Sequence, residues 1–306
     1  DGVELWRYVH GVPFETGASI ATLELPGAGP TEVAMVGSRD GQLLALDLAT
    51  GAPRWRTLIE GDMRAPPTLV GDRLVVTSSA NKVTVLEAGT GKAVWSHGRP
   101  PPSGLTVEGH ARATVHGDKV FATFSDGYVV AFALTHGTVL WSRPLSLRGG
   151  GFVDADADPI VDNGQLFVAS YSDGVYALAP EDGQTLWNRF APAVTSLALH
   201  GGRVLVGSAD GYVWGLSRDD GALAFRTKLA VGPVSRLLVD RGLVALTGGI
   251  NGLVVLDART GKPLQATSFG GRAASDPVWV DDELAFLSSS GYLYAWRLVG
   301  PPAAQG

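Results

Sequence analysis

Apolar and polar positions alternate along this chain in short runs, and each run is bounded by turn residues. The clearest is Gln42-Leu43-Leu44-Ala45-Leu46-Asp47, entered through Ser38-Arg39-Asp40-Gly41, left through Thr50-Gly51 and followed by Trp55. Alternation of period two between Gly and Asp turns predicts a strand of a hairpin. The unit returns as Asn81–Glu87 with Thr90-Gly91 and Trp95, then as Asp126-Gly127, His136-Gly137 and Trp141. It returns again as Asp173-Gly174, Asp182-Gly183 and Trp187, and as Asp210-Gly211, Asp220-Gly221 and Phe225. A sixth copy, Asn251-Gly252 with Thr260-Gly261, carries Gln265 where the aromatic belongs. The seventh, Ser290-Gly291-Tyr292-Leu293-Tyr294-Ala295-Trp296, lacks its second half, and Asp1-Gly2-Val3-Glu4-Leu5-Trp6 reads like that half.

A second pattern lies between the units. Ala65–Val70 precedes Arg73–Thr77, Ala157–Val161 precedes Gln165–Ser170, and Ser275–Val280 precedes Glu283–Ser288. Each pair reads as an inner strand, a turn and a second strand. A repeat of about 40 residues with four strands is the signature of a propeller blade. The expected fold is all-β: a single β-propeller of about seven four-stranded blades over residues 1–300, with 301–306 a flexible tail. Val3–Trp6 is expected to complete the last blade, since an unpaired edge strand invites aggregation. The repeated Trp is expected to fill the wedge between neighbouring blades. Asp40, Asp126, Asp173 and Asp210 precede turn glycines and are expected to bond local backbone amides.

Composition supports this reading. Glycine is 41 of 306 residues, about twice the usual ~7 %, as many tight turns require. Apolar residues make up 45 % and charged residues 18 %, so the chain has ample core. The net charge is −6 and no basic cluster stands out, which removes the electrostatic footprint of nucleic-acid binding. No apolar run reaches the ~18–20 residues of a membrane helix. The absence of cysteine excludes disulfides, thiolate metal sites and cysteine nucleophiles.

The repeats resemble the quinoprotein alcohol dehydrogenase family, whose blades carry Asp-Gly-x-Leu-x-Ala-Leu-Asp-x-x-Thr-Gly-x-x-x-Trp. A narrower resemblance is to the BamB family of the machine that folds β-barrels into the bacterial outer membrane. Asp154-Ala155-Asp156-Ala157-Asp158-Pro159-Ile160-Val161 with Leu166–Tyr171 looks like a stretch typical of that family. Leu105-Thr106-Val107-Glu108-Gly109 sits one blade earlier, where the family has Leu-x-Leu-Arg-Gly, and Val130–Gly137 matches its Asp-poor repeat. The resemblance implies a non-catalytic scaffold that binds BamA through Leu105, Val107, Glu108, Asp154 and Asp156. Glu108 reverses the charge of the family's Arg. Arg148, in Leu145-Ser146-Leu147-Arg148-Gly149 beside the Asp loop, is the candidate substitute. The family usually has eight blades; seven are counted here. The resemblance further implies contact with unfolded outer-membrane protein strands and a place at the periplasmic face of the outer membrane. The only membrane attachment expected is a lipid anchor outside these residues.

Topology alone brings the two loops together. Both run from the outer strand of one blade to the inner strand of the next, in consecutive blades, so they emerge side by side on one face. Asp154 and Asp156 alternate along an extended segment and face the same way. Leu105 and Val107 either supply apolar contact there or begin an inner strand and point into the core. A second reading, from a different class, is a sensor or adaptor propeller of a larger receptor such as a receptor kinase.

Other chemistry is set aside on the residues. A quinone-dependent dehydrogenase often carries a vicinal Cys pair at its cofactor, and this chain has none; no cofactor is expected. Asp154-x-Asp156-x-Asp158 begins like a calcium loop, but Pro159 stands at position six and Gln165 at position twelve, where Gly and Glu are required. Asp158-Pro159 recurs as Asp276-Pro277, which gives the third Asp a place at the start of a strand. His10, His97, His110, His116, His136 and His200 fall in different blades or turns without ligand spacing. Neither a phosphate loop nor a Gly-x-Ser-x-Gly elbow is present.

Overall fold

The computed structural model describes residues 3–100, 111–145, 157–229, 232–234, 236–248, 252–268, 273, 275–280 and 283–297. Strands are the only regular elements among them, and they form seven antiparallel sheets in chain order, six of four strands and one of three. The fold is a seven-bladed β-propeller. Blade 1 runs Ser19–Leu25, Gly29–Gly37, Gln42–Asp47 and Pro53–Leu58, each strand paired with the next. Blades 2 to 6 span residues 68–98, 114–144, 160–189, 194–228 and 238–267; blade 7 spans 278–297. The chain divides into two compact units, 1–186 and 187–306, and the division falls inside Thr185–Arg189, the fourth strand of blade 4.

The strands of a blade differ in burial, and sequence explains why. Second and third strands such as Arg73–Ser78 and Gln42–Asp47 are buried on both faces after their first residue. Their apolar runs pack against a blade on either side, so the expected alternation gives way to near-continuous Val, Leu and Ala. Fourth strands such as Pro53–Leu58 and Ala93–Gly98 alternate between exposed and half-buried. Three inner strands, Thr68–Val70, Ile160–Asp162 and Val278–Val280, are three residues long and start directly after Pro67, Pro159 and Pro277. Proline cannot donate to the ladder, so pairing begins behind it.

In the first unit, cores lie between successive blades. Leu43, Ala45, Leu74 and Leu86 meet between blades 1 and 2. Val75, Val83, Val120 and Phe132 meet between blades 2 and 3. Phe121, Val129, Leu166 and Tyr176 meet between blades 3 and 4. In the second unit, Leu205, Val213, Val244 and Leu256 pack between blades 5 and 6, and Ala245, Leu253, Leu284 and Phe286 between blades 6 and 7.

The repeated aromatic has a more specific seat than a wedge. Trp55 lies over Gly91 in the turn of blade 2, and a Cβ there would fall 2.5 Å from the ring. The Trp55 indole N–H donates to the Ala88 carbonyl at 3.0 Å. Trp95 covers Gly137 and bonds Leu134 O, Trp141 covers Gly183 and bonds Pro180 O, and Trp187 covers Gly221 and bonds Arg218 O. Phe225 covers Gly261. Each of these glycines has φ between 68° and 71°, a left-handed conformation that side chains avoid. Glycine is thus required twice, for the turn and for the ring.

A bulge aims the ring. In blade 1, Ala45 faces Trp55 but Leu46 faces Pro53, leaving Arg54 as the extra residue. The same slip leaves Val94, Leu140, Ala224 and Leu264 unpaired in blades 2, 3, 5 and 6, always directly before the ring position. An extra residue bends and twists its strand, which turns the next side chain onto the neighbouring blade.

Trp6 behaves as one of these fourth-strand rings. It covers Gly51 of blade 1 and donates its indole N–H to Leu48 O at 2.8 Å. Residues Glu4 to Val9 repeat the exposure pattern of Pro53–Leu58. Blade 7 has three strands among the described residues.

The aspartates before the turns bond local groups as expected, Asp40 accepting from the Gln42 backbone, and two of them also act through a serine. Asp40 and Asp210 each accept a short bond from the hydroxyl of Ser38 or Ser208. That serine oxygen in turn accepts the backbone N–H of Gln42 or Tyr212 at 3.1 Å. Asp126 accepts Tyr128 N at 3.4 Å, and buried Asp173 accepts the Ser172 hydroxyl at 3.4 Å. Asp47, at the other turn, holds more. It accepts Thr50 N at 2.9 Å, the Thr50 hydroxyl at 2.8 Å and two Arg54 N–H groups. Those bonds from Arg54 and then Thr50 lower its pKa from 3.8 to about 2.

Two outcomes follow. Gly91→Ala should destabilise the protein well beyond Gly71→Ala in urea melts. Both residues have positive φ, costing roughly 1–2 kcal/mol each, but Gly71 has nothing within 4 Å and Gly91 carries a ring. Equal losses would show that the ring contact contributes nothing. The Asp47 carboxyl is more acidic folded than unfolded, so its contribution is complete above about pH 4 and is lost as pH falls through about 2. The gap in urea midpoint between the parent and Asp47→Asn should be constant from pH 7 to about 4 and then shrink.

Candidate partner-binding face

The six residues singled out for partner binding fall in two segments. Leu105, Val107 and Glu108 lie within 101–110, and Arg148, Asp154 and Asp156 within 146–156; both segments are outside the described residues. The structure gives the four stems through which these segments leave and rejoin the blades.

The outgoing stem of the first segment departs from the repeat. After their fourth strands, blades 1, 3 and 5 place buried Ile59, Leu145 and Leu229, each donating its backbone N–H to the turn glycine of its own blade. Blade 2 places Arg99 there and Asn81 at the glycine position, with the same backbone bond, Arg99 N to Asn81 O at 3.0 Å. Asn81 adopts φ 55°, which asparagine tolerates better than most residues. Its amide donates to Pro100 O at 3.1 Å, while its carbonyl oxygen accepts Ser125 N and the Ser125 hydroxyl, both at 3.0 Å. The Arg99 guanidinium bonds Asp126 at 2.6 Å and lies 3.9 Å from the Tyr128 ring centre. A planar cation between a carboxylate and an aromatic face is well held. Blade 3 therefore grips this stem through Asp126, Tyr128 and Ser125.

The returning stem of the first segment is tied to that of the second. Asp158 accepts the backbone N–H of Arg112 at 2.7 Å, and the Arg112 side chain lies 3.8 Å from the same carboxylate. The Thr114 hydroxyl donates to Pro159 O, and the Thr77 hydroxyl to Ala111 O at 2.9 Å. Ala111 and Ala157 are buried. On the outgoing side of the second segment, buried Leu145 donates its N–H to Gly127 O at 2.8 Å. Asp158 thus does at the start of blade 4 what its recurrence before proline suggested. Arg99 was missed in the sequence, although a charged residue where other blades carry Ile or Leu was a readable signal.

The described residues offer little for catalysis. His10 and Ser38 both approach Asp40, His10 at 3.4 Å. A nucleophile relay needs histidine between serine and aspartate, and here aspartate lies in the middle. The serine-to-aspartate bond also recurs at Ser208 and Asp210 as a turn feature. No group of three His, Asp or Glu side chains suited to a metal ion occurs among the described residues.

Comparison with known proteins agrees with this geometry. No curated protein matches the chain. BamB from Moraxella catarrhalis superposes with a TM-score of 0.83 at 23 % identity, covering 96 % of this chain and 88 % of that one. Saccharomyces cerevisiae Sqt1 gives 0.72 at 16 % identity over 94 % of this chain and 83 % of that one. The computationally designed Ika8 protein gives 0.59 at 15 % identity over 94 % of this chain and 97 % of that one. At these identities the structures show a shared fold. The model of the family described as outer membrane protein assembly factor BamB matches residues 1–227, and the chain belongs to that family.

Proposed function

We propose that this chain is a non-catalytic scaffold of the outer-membrane β-barrel assembly machine, acting at the periplasmic face of the outer membrane. Segments 101–110 and 146–156 together dock the periplasmic repeats of BamA. The observation that carries this reading is the Arg112–Asp158 link, which holds the returning stems of both segments in one place. Family membership supports the machine, and the Arg99 and Asn81 bonds hold the stem from which the first segment leaves blade 2.

The roles divide by physical effect. Asp154 and Asp156, on a chain of net charge −6, attract a basic patch and quicken encounter. Leu105 and Val107 supply apolar contact and slow dissociation. Arg148 offers the positive charge that Glu108 does not. Replacing Asp154 and Asp156 by Asn keeps shape and removes charge. Association with purified BamA repeats at low salt should slow severalfold, with the melting temperature unchanged. Normal association would remove these residues from the interface. Leu105→Ala should speed dissociation without loss of stability; a fall of ~2–5 kcal/mol would instead make Leu105 a core residue.

A further inference from the structure

Five fourth strands and the N-terminal segment bring an aromatic ring to the turn of a neighbouring blade. Blade 6 does not. At its ring position stands Gln265, which is exposed and turns along its own strand to donate to the Thr267 hydroxyl at 3.4 Å. A cavity of about 320 Å³ lies here between blades 6 and 7. Leu253 and Val255 of blade 6 form one wall, Leu284 and Trp296 of blade 7 the other, with Gln265 and Thr267 at the margin. The matching positions between blades 1 and 2 are Leu43, Ala45, Leu74 and Leu86, and Trp55 packs against them. The cavity thus lies beside the position from which an aromatic ring packs elsewhere.

We propose that this cavity binds an aromatic side chain, tryptophan above others, presented by a partner polypeptide. Its size decides the class of ligand. Binding pockets run from ~300 to 1,000 Å³, so this one takes a single ring system and little more. Leu253, Val255, Leu284, Ala295 and Trp296 supply its apolar surface, and Gln265, Thr267 and Arg297 give it a polar margin that an indole N–H can meet. Arg297, also at the cavity, is bonded to Glu283 at 3.0 Å and brings no unpaired charge. The source of the ring follows from the repeat. In the six filled seats the ring arrives on an extended polypeptide laid along the margin of a blade. This site lies in the second unit and does not depend on the two segments proposed to dock BamA.

The test follows the methyl groups of Leu253, Val255 and Leu284 by NMR in the full chain. N-acetyl-tryptophanamide is the probe, with indole and N-acetyl-leucinamide alongside. Blocked tryptophan should shift these methyls saturably, and about tenfold more tightly than blocked leucine. Gln265→Trp and Gln265→Phe fill the seat from within; both should melt above the parent and abolish the shifts. Either variant suffices if the other does not fold. Absence of a saturable shift, or shifts that persist in the filled variants, would overturn the site. Binding of indole without blocked tryptophan would overturn the side-chain source and leave a cavity for free aromatic molecules.

Discussion

An indole laid over a left-handed glycine of the next blade is the contact to which the rest of this fold is fitted. The turn must be tight enough to need glycine, and the glycine must be bare enough to admit the ring. The fourth strand must carry a bulge just ahead of the ring, and the turn must offer a carbonyl to the indole N–H. Trp55 with Gly91 and Trp95 with Gly137 meet all four conditions. Phe225 meets three; lacking an N–H, it sits so low that a Cβ on Gly261 would fall 2.2 Å from it, and one on Gly215 equally close. Blade-to-blade packing is therefore a set of similar local contacts, and a domain of this length needs no single large core.

The repeat is broken in two places. Asn81 for glycine and Arg99 for an aliphatic residue change one stem from an apolar plug into a polar clamp held by the next blade. The clamp holds Arg99 and Pro100, and Asp158 holds Arg112. The loss of the ring at Gln265 is a second break, and it opens a cavity instead of closing a stem.

Much of this was legible in the sequence because the repeat is spelled in residues with narrow conformational use. Gly51, Gly91 and Gly137 gave the turns, and the aromatic spacing gave the blades. The burial of second and third strands on both faces was less legible, since period-two reasoning presumes one wet face, whereas a blade is sandwiched. Asp40 takes the Gln42 backbone as the turn rule has it, but the bonds of Asp40 and Asp210 to Ser38 and Ser208, two residues earlier, are ones that rule does not name. The link between the stems was not legible, because Arg112 and Asp158 are joined by topology across two blades, although Asp158 before its proline and Arg99 at an aliphatic position could be read. Leu105, Val107, Glu108, Arg148, Asp154 and Asp156 rest on family resemblance and on those stems.

The bulge before each ring gives the fourth strand a reading frame. Removing one residue between the turn glycine and the ring would carry Trp55, Trp95 or Trp141 to the opposite face of its strand and present its neighbour to the glycine. These hairpins are therefore locked in length as well as in composition. Blade 6 carries the same bulge but no ring, since Gln265 stands at the ring position. A change of length in that hairpin would displace no ring and would instead move Gln265 and Thr267, the margin of the cavity between blades 6 and 7.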